Sequence, residues 1–304
     1  MKTFTWASML LAVLSAAFSA SDSIELANGK TIHGVLSGRQ SIYVALTISE
    51  GQSEAEIRLN PSDIIGILFS DSSLKDEVMK QYPASDPYQT TILLESLVRK
   101  RLPYLDLLSP SDETLFAMLL KSYIQSGRAS DALDRAKLWR TKLRANEVID
   151  QLDELQIVAA KNIGNLEEAV FYSKRWIDTG KSAVQTTLPW CILAEKSLNE
   201  GQIEDALWLA LNPIVFTHPN APRFIETAYE IAVFSAYQLN EFEYALQLYT
   251  DMKLRKLNWP IDSDKADILT KLENHETIRS SHPALRENSS SNASNDLLKV
   301  VGAP

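Results

Sequence analysis

The sequence predicts a mainly α protein, an α-solenoid of four helix hairpins behind a small N-terminal five-stranded β barrel. Three observations carry this. Between about residues 111 and 257 a pattern of small and helix-stopping residues returns at a near-constant step. Residues 23 to 69 instead alternate apolar and polar at period two and are rich in branched side chains. Turn-forming residues separate the two regions. The 304 residues, 45% hydrophobic and 23% charged, are ordinary globular material, enough for one large or two unequal domains.

At the N-terminus, Lys2 precedes an apolar run from Trp6 to Phe18, and Ala17 and Ser19 are small residues at the spacing of a signal-peptidase site. This predicts a cleaved leader over 1–19, cut near Ser19, and a periplasmic or secreted mature chain. The apolar run is about 13 residues, short of the roughly 20 that a membrane span needs, and no later segment is long and apolar enough to span either, so membrane insertion is not expected. Cys191 is the single cysteine, which rules out an internal disulfide. Its neighbours Leu188, Trp190, Ile192 and Leu193 mark it as a small buried hydrophobe.

Charge narrows the partners. With 30 Lys+Arg against 39 Asp+Glu the formal net charge is −9, which disfavours nucleic acid and anionic lipid, both held mainly by electrostatic attraction. The longest basic cluster, Arg99-Lys100-Arg101, falls where a helix is predicted to end and complements its dipole. The histidines His33, His218, His275 and His282 lie in different predicted elements, none with a metal-type partner at i+3 or i+4. There is no nucleophile elbow, phosphate loop or dinucleotide fingerprint. Neither catalysis nor a cofactor is expected.

In the region 20–70, strands are predicted at Ile24–Leu26, Ile32–Leu36, Ile42–Ile48, Glu56–Leu59 and Ile64–Phe69. Asn28-Gly29 suits a tight hairpin because both residues tolerate positive φ. The stretch from Leu26 to Gly34 resembles the opening hairpin of SH3-like and Sm-like barrels, a resemblance limited to this segment that implies a small barrel. With only Lys30, Arg39 and Arg58 as basic residues, RNA binding is not expected here. Residues 71–87 are polar, contain Pro83 and Pro87, and read as a linker. Residues 88–110 read as leading helices broken at Pro103.

From 111 to 260 the chain can be laid over itself. The frames are Tyr123-x3-Gly127-x4-Ala132, Ala160-x3-Gly164-x4-Ala169, Ser197-x3-Gly201-x4-Ala206 and Ala236-x3-Asn240-x4-Ala245, with steps of 37, 37 and 39 residues between the alanines. Gly or Asn sits where a first helix must stop, because it tolerates the left-handed conformation of the stop. Alanine sits in the first turns of the second helix, where close helix crossing requires a small side chain. Acidic residues such as Asp131, Glu167, Glu204 and Glu243 open the second helices, against the N-terminal dipole. Trp139, Trp176 and Trp208 are expected in the core between neighbouring units.

These frames resemble the tetratricopeptide repeat (TPR) family over about 111–257. Tyr123 matches its first-helix aromatic position, Trp190 the opening aromatic of the third unit, and the four alanines its small-residue position. The step exceeds the family's of about 34, and the closing proline is irregular. The resemblance implies a concave face that binds protein or peptide. Projected onto that geometry, the face would carry Lys121, Gln125, Glu154, Val158, Lys161, Asn162, Glu195, Asn199, Glu230, Phe234, Tyr237 and Gln238. Gln125, Asn162, Asn199 and Gln238 form a row of amides able to pair with a peptide backbone, or else merely satisfy their own helix ends. The family's carboxylate clamp is not expected, since Lys121 is followed by Val158 and Glu195 at matching positions.

Residues 261–279 are expected as a polar capping helix. Residues 280–304, with a short Leu297-Leu298-Lys299-Val300-Val301 patch, are expected as a disordered tail. The function expected is a protein-protein interaction scaffold. The alternatives are a hydrolase or carbohydrate-processing enzyme with its site where barrel meets helices, and a self-associating structural protein.

Overall fold

A computed structural model describes residues 21–50, 53–82, 86–217, 220–260, 267–272 and 274. The expected leader, the tail, most of the capping segment, and His218, His275 and His282 lie outside these residues. The described chain is mainly α with one five-stranded antiparallel sheet. It divides into two compact units, 1–165 and 166–304.

The first unit opens with β1 (Asp22–Leu26), β2 (Thr31–Gln40), β3 (Tyr43–Glu50), β4 (Ser53–Leu59) and β5 (Ile64–Leu68), in sheet order β4-β3-β2-β1-β5. All five expected strands are present. The long β2 serves both halves of the sheet: Thr31 to Gly34 pair with β1, and Val35 to Gln40 with β3, with a register shift between Leu36 and Gly38. Gly34 is required at the crossover, since a Cβ there would stand 2.5 Å from the Thr47 carbonyl oxygen. Alternation sends Ile24, Leu26, Val44 and Leu46 into one core cluster. Ile64 and Ile67, three apart, join it because the β1–β5 register shifts between Glu25 and Leu26, and Phe69 and Tyr104 complete it. In the β1–β2 turn only Gly29 takes positive φ, at 79°. Asn28 contributes its side-chain oxygen instead, accepting from the Lys30 N–H at 3.0 Å, because a three-residue loop needs one left-handed position rather than two.

The stretch expected as a linker contains a helix, α1 (Ser72–Gln81), with Lys75 and Val78 buried. Next come α2 (Pro87–Arg101) and a 3-10 helix (Leu102–Leu107) that starts around Pro103. Then follow α3 (Pro110–Gln125), α4 (Ala129–Arg140) and α5 (Asn146–Asn162). Ser109 caps α3 through the Asp112 N–H, with Pro110 in the first turn, where its missing donor costs nothing. α3 packs on α2, α4 and α5, and α4 also packs on α5. Trp139 is buried, edge-on to Phe116 with ring centroids 4.9 Å apart.

The second unit holds α6 (Leu166–Ile177), α7 (Thr187–Asn199), α8 (Ile203–Thr217), α9 (Ile225–Gln238) and α10 (Phe242–Leu254). Each helix packs on the next, and α7 also packs on α9. Their shared core takes in Cys191, Leu207, Ile214, Tyr229, Ala232, Ala236 and Met252. Helical residues 267–272 bury Ile268 and Leu272 in the same cluster and keep Asp267 and Lys271 exposed. Trp176 is buried, as expected, but Trp208 is 52% exposed. Trp139 and Trp176 stand twelve residues beyond their glycines and Trp208 only seven. Five residues turn an α-helix by about 140° beyond a full turn, which moves the ring off the buried face.

Candidate functional site

The four frames fold into one local structure. Where α3 stops, Arg128 N donates to Tyr123 O at 2.7 Å and Gly127 N to Ile124 O at 3.1 Å. The same pair of bonds runs from Asn165 to Ala160 and Gly164 to Lys161, from Gln202 to Ser197 and Gly201 to Leu198, and from Glu241 to Ala236 and Asn240 to Tyr237. This is a Schellman motif, which requires a left-handed residue after the helix. Gly127, Gly164, Gly201 and Asn240 supply it, at φ 77°, 78°, 75° and 63°. The first residue of each frame is therefore the buried carbonyl acceptor that closes the helix. The alanines at the far end, Ala132, Ala169, Ala206 and Ala245, are all buried at the start of the second helices.

Gln125, Asn162, Asn199 and Gln238 are each the last residue of their helix, and all four are exposed. Because backbone N–H groups take the terminal carbonyls, the amides are not needed there. Among the described residues none of the four side chains makes a hydrogen bond. The charged candidates differ: Lys121, Glu154, Lys161 and Glu195 are already engaged with other groups of the protein. Lys121, Glu154, Val158 and Glu195 are half-buried and Lys161 is exposed. Glu230, expected on an open face, is 8% exposed, because α9 is enclosed by α7, α8 and α10. Phe234 and Tyr237 pack partly on the core, and Tyr237 meets Phe242 edge-on at 5.2 Å.

In the first unit Lys121 and Gln125 lie on α3 and Glu154, Lys161 and Asn162 on α5, and these two helices pack on each other. In the second, Glu195 and Asn199 lie on α7 and Phe234, Tyr237 and Gln238 on α9, which likewise pack on each other. A cleft of about 510 Å³ in the first unit, lined by Ser111, Thr114, Asn146 and Gln151 among others, lies at the opposite ends of α3 and α5 from the amides.

A second constellation escaped sequence reasoning. Lys100 and Arg101 do more than complete a helix end. Lys100 Nζ reaches Asp22 Oδ1 and Ser70 Oγ, each at 2.6 Å. Asp22, 2% exposed, also accepts from Ser70 N at 2.7 Å and Leu36 N at 3.0 Å. Arg101, fully buried, forks onto Asp71 at 2.8 and 3.1 Å and gives Nε to Asp112 at 2.8 Å. Its guanidinium lies 4.4 Å from the Phe69 ring centre. Lys75 adds a bond to Asp112 at 3.1 Å, and Arg39 grips Asp106 with two. Within this unit the sheet is thus tied to the helices by balanced charge.

Burial alone would raise the carboxyls of Asp22 and Asp112. The Lys100 bond and two backbone donors outweigh it at Asp22, and Ser109, Arg101 and Lys75 do so at Asp112, so both lie below the usual carboxylate value. Asp106 is lowered chiefly by Arg39. Groups held ionised in this way do not suit general-acid chemistry at neutral pH.

In the second unit the buried Tyr229 accepts from Arg255 Nη1 at 2.7 Å and donates to Asp251. Burial, then that carboxylate, push its hydroxyl up to about 12. Arg255 also holds the Asn220 carbonyl, so the trio fixes the loop ahead of α9. His33 is exposed on β2. Among the described residues no group of His, Cys, Asp and Glu is arranged to hold a metal ion, and no helix is long and apolar enough to cross a membrane. A scan of the chain against protein-family models finds no match, and a search among curated proteins finds no relative.

Proposed function

We propose that this chain is a secreted or periplasmic protein-interaction scaffold, a TPR-like solenoid whose first-helix faces hold an extended peptide or a segment of another envelope protein. The observation that carries the proposal is the fourfold recurrence of one helix end with an exposed, unbonded Asn or Gln at its last helical position. An amide offers both a donor and an acceptor, so it pairs with a peptide backbone whatever the side chains beside it. Half-buried Phe234 and Tyr237 add apolar anchors on α9.

Packing of α3 on α5 and of α7 on α9 supports a solenoid, in which each first helix lies against the next. The shared strand β2 and the 3-10 turn Pro61–Asp63 between β4 and β5 support a small SH3-like or Sm-like barrel. Its role is to cap the array through α2 and the 3-10 helix, to which Asp22 and Arg39 bind it. Helical residues 267–272, with their polar face outward, suit the opposite cap.

The test is the triple variant Glu154→Lys, Glu195→Lys, Phe234→Ala, purified from the native host beside the unaltered chain. Loss of the co-purifying protein partner is the expected outcome. Retention of every partner rules out these faces as the binding surface.

A further inference from the structure

We propose that the outer face of α8 is a contact between two copies of this chain. From Ala206 to Phe216 the helix carries no charged residue. Leu207, Ala210, Leu211 and Ile214 enter the core cluster, while Trp208, Val215 and Phe216 on the other side are 52%, 62% and 70% exposed. A surface helix turns charge toward water, and one that is apolar all round is normally covered all round. Phe171, 61% exposed on α6, stands seven residues beyond Gly164, as Trp208 stands seven beyond Gly201. It therefore repeats the exposed position on the second helix of the preceding hairpin, and α6 and α8 both pack on α7.

The area matches what a dimer needs. At roughly 150–250 Å² for a large side chain, these four residues leave about 500 Å² of apolar surface in water. One side of a stable interface buries about 800 Å², roughly two-thirds of it apolar in homodimers. The arrangement also suits a twofold axis. Asn212 lies midway between Trp208 and Phe216, so two α8 helices crossing antiparallel at Asn212 set Trp208 of one copy on Phe216 of the other, an isologous contact. In a chain of net charge −9, the uncharged stretch from Ala206 to Phe216 is where a second copy approaches without local repulsion.

Sedimentation of the full chain across about 1 to 100 µM tests this, since the average mass of a reversible dimer, unlike that of a monomer, rises with protomer concentration toward twice the chain mass. A monomer–dimer equilibrium is expected, with Phe216→Asp and, separately, Trp208→Lys each raising its midpoint about 30-fold or more. Circular dichroism checks that both variants keep their helices. Hydrogen exchange in α8 of the unaltered chain, which needs no variant to fold, should slow as concentration rises. A monomer throughout overturns the proposal, as does a dimer indifferent to both substitutions. So does α8 protection that is independent of concentration and disappears when the residues after Asn274 are deleted, because the chain would then cover itself.

Discussion

Arg101 Nε donates to Asp112 Oδ1 at 2.8 Å with both side chains nearly or wholly out of water, at 0% and 5% exposure. Two charges so placed are stable only together, because either one alone keeps its desolvation cost without the attraction that offsets it. Arg101→Met is therefore expected to lower the unfolding free energy by about 3–5 kcal/mol in urea denaturation. Asp71→Asn, on the more exposed arm of the fork, should cost about 1 kcal/mol. Equal small effects from both would mean that the guanidinium is better hydrated than the geometry allows.

Acid should weaken the same unit. The carboxyls of Asp22, Asp106 and Asp112 lie below their ordinary value when folded, so their contribution is complete above the unfolded value of about 4 and drains away as pH falls through the depressed folded ones. Urea midpoints measured from pH 6 downward should stay level at first and then fall. In Asp22→Asn the fall should be shallower and the neutral-pH stability lower.

The left-handed helix stops give a paired prediction. Gly201→Ala places a Cβ at φ 75° and should lower stability by about 1–2 kcal/mol, although there is open space around it. Asn240→Gly, at φ 63°, should be neutral or slightly stabilising in thermal melts. If Gly201→Ala were silent, the Schellman geometry would be wrong at that end.

The amides should be dispensable for folding. Asn199→Ala and Gln238→Ala each remove an exposed side chain without an internal hydrogen bond, so each should stay within about 0.5 kcal/mol of the parent. Had these side chains been capping their own helix carbonyls, the loss would be about 1 kcal/mol. Denaturant midpoints separate the two outcomes.

What was legible in the sequence follows from how local each constraint is. Positive φ admits few residue types, so Gly127, Gly164, Gly201 and Asn240 announced four helix ends, and close crossing admitted only Ala at the second-helix starts. Period-two alternation likewise fixed the five strands. The ion pairs left no such trace: Lys100 and Asp22 are 78 positions apart, and nothing periodic links them. The helix at Ser72–Gln81 was hidden because its buried residues include Lys75, a polar side chain that is buried only because Asp112 receives it. Trp208 was misplaced by its size, which argues for a core, against its phase, which points it outward.

The first-helix faces are proposed to hold another protein. Photo-reactive side chains installed one at a time at Gln125, Asn162, Asn199 and Gln238, and at Lys174 on α6 as an exposed control, test it in the native host by cross-linking and mass spectrometry. One and the same protein attached at several amide positions and absent at Lys174 is the predicted result. Cross-links absent from all four, or spread equally over the control, would contradict it.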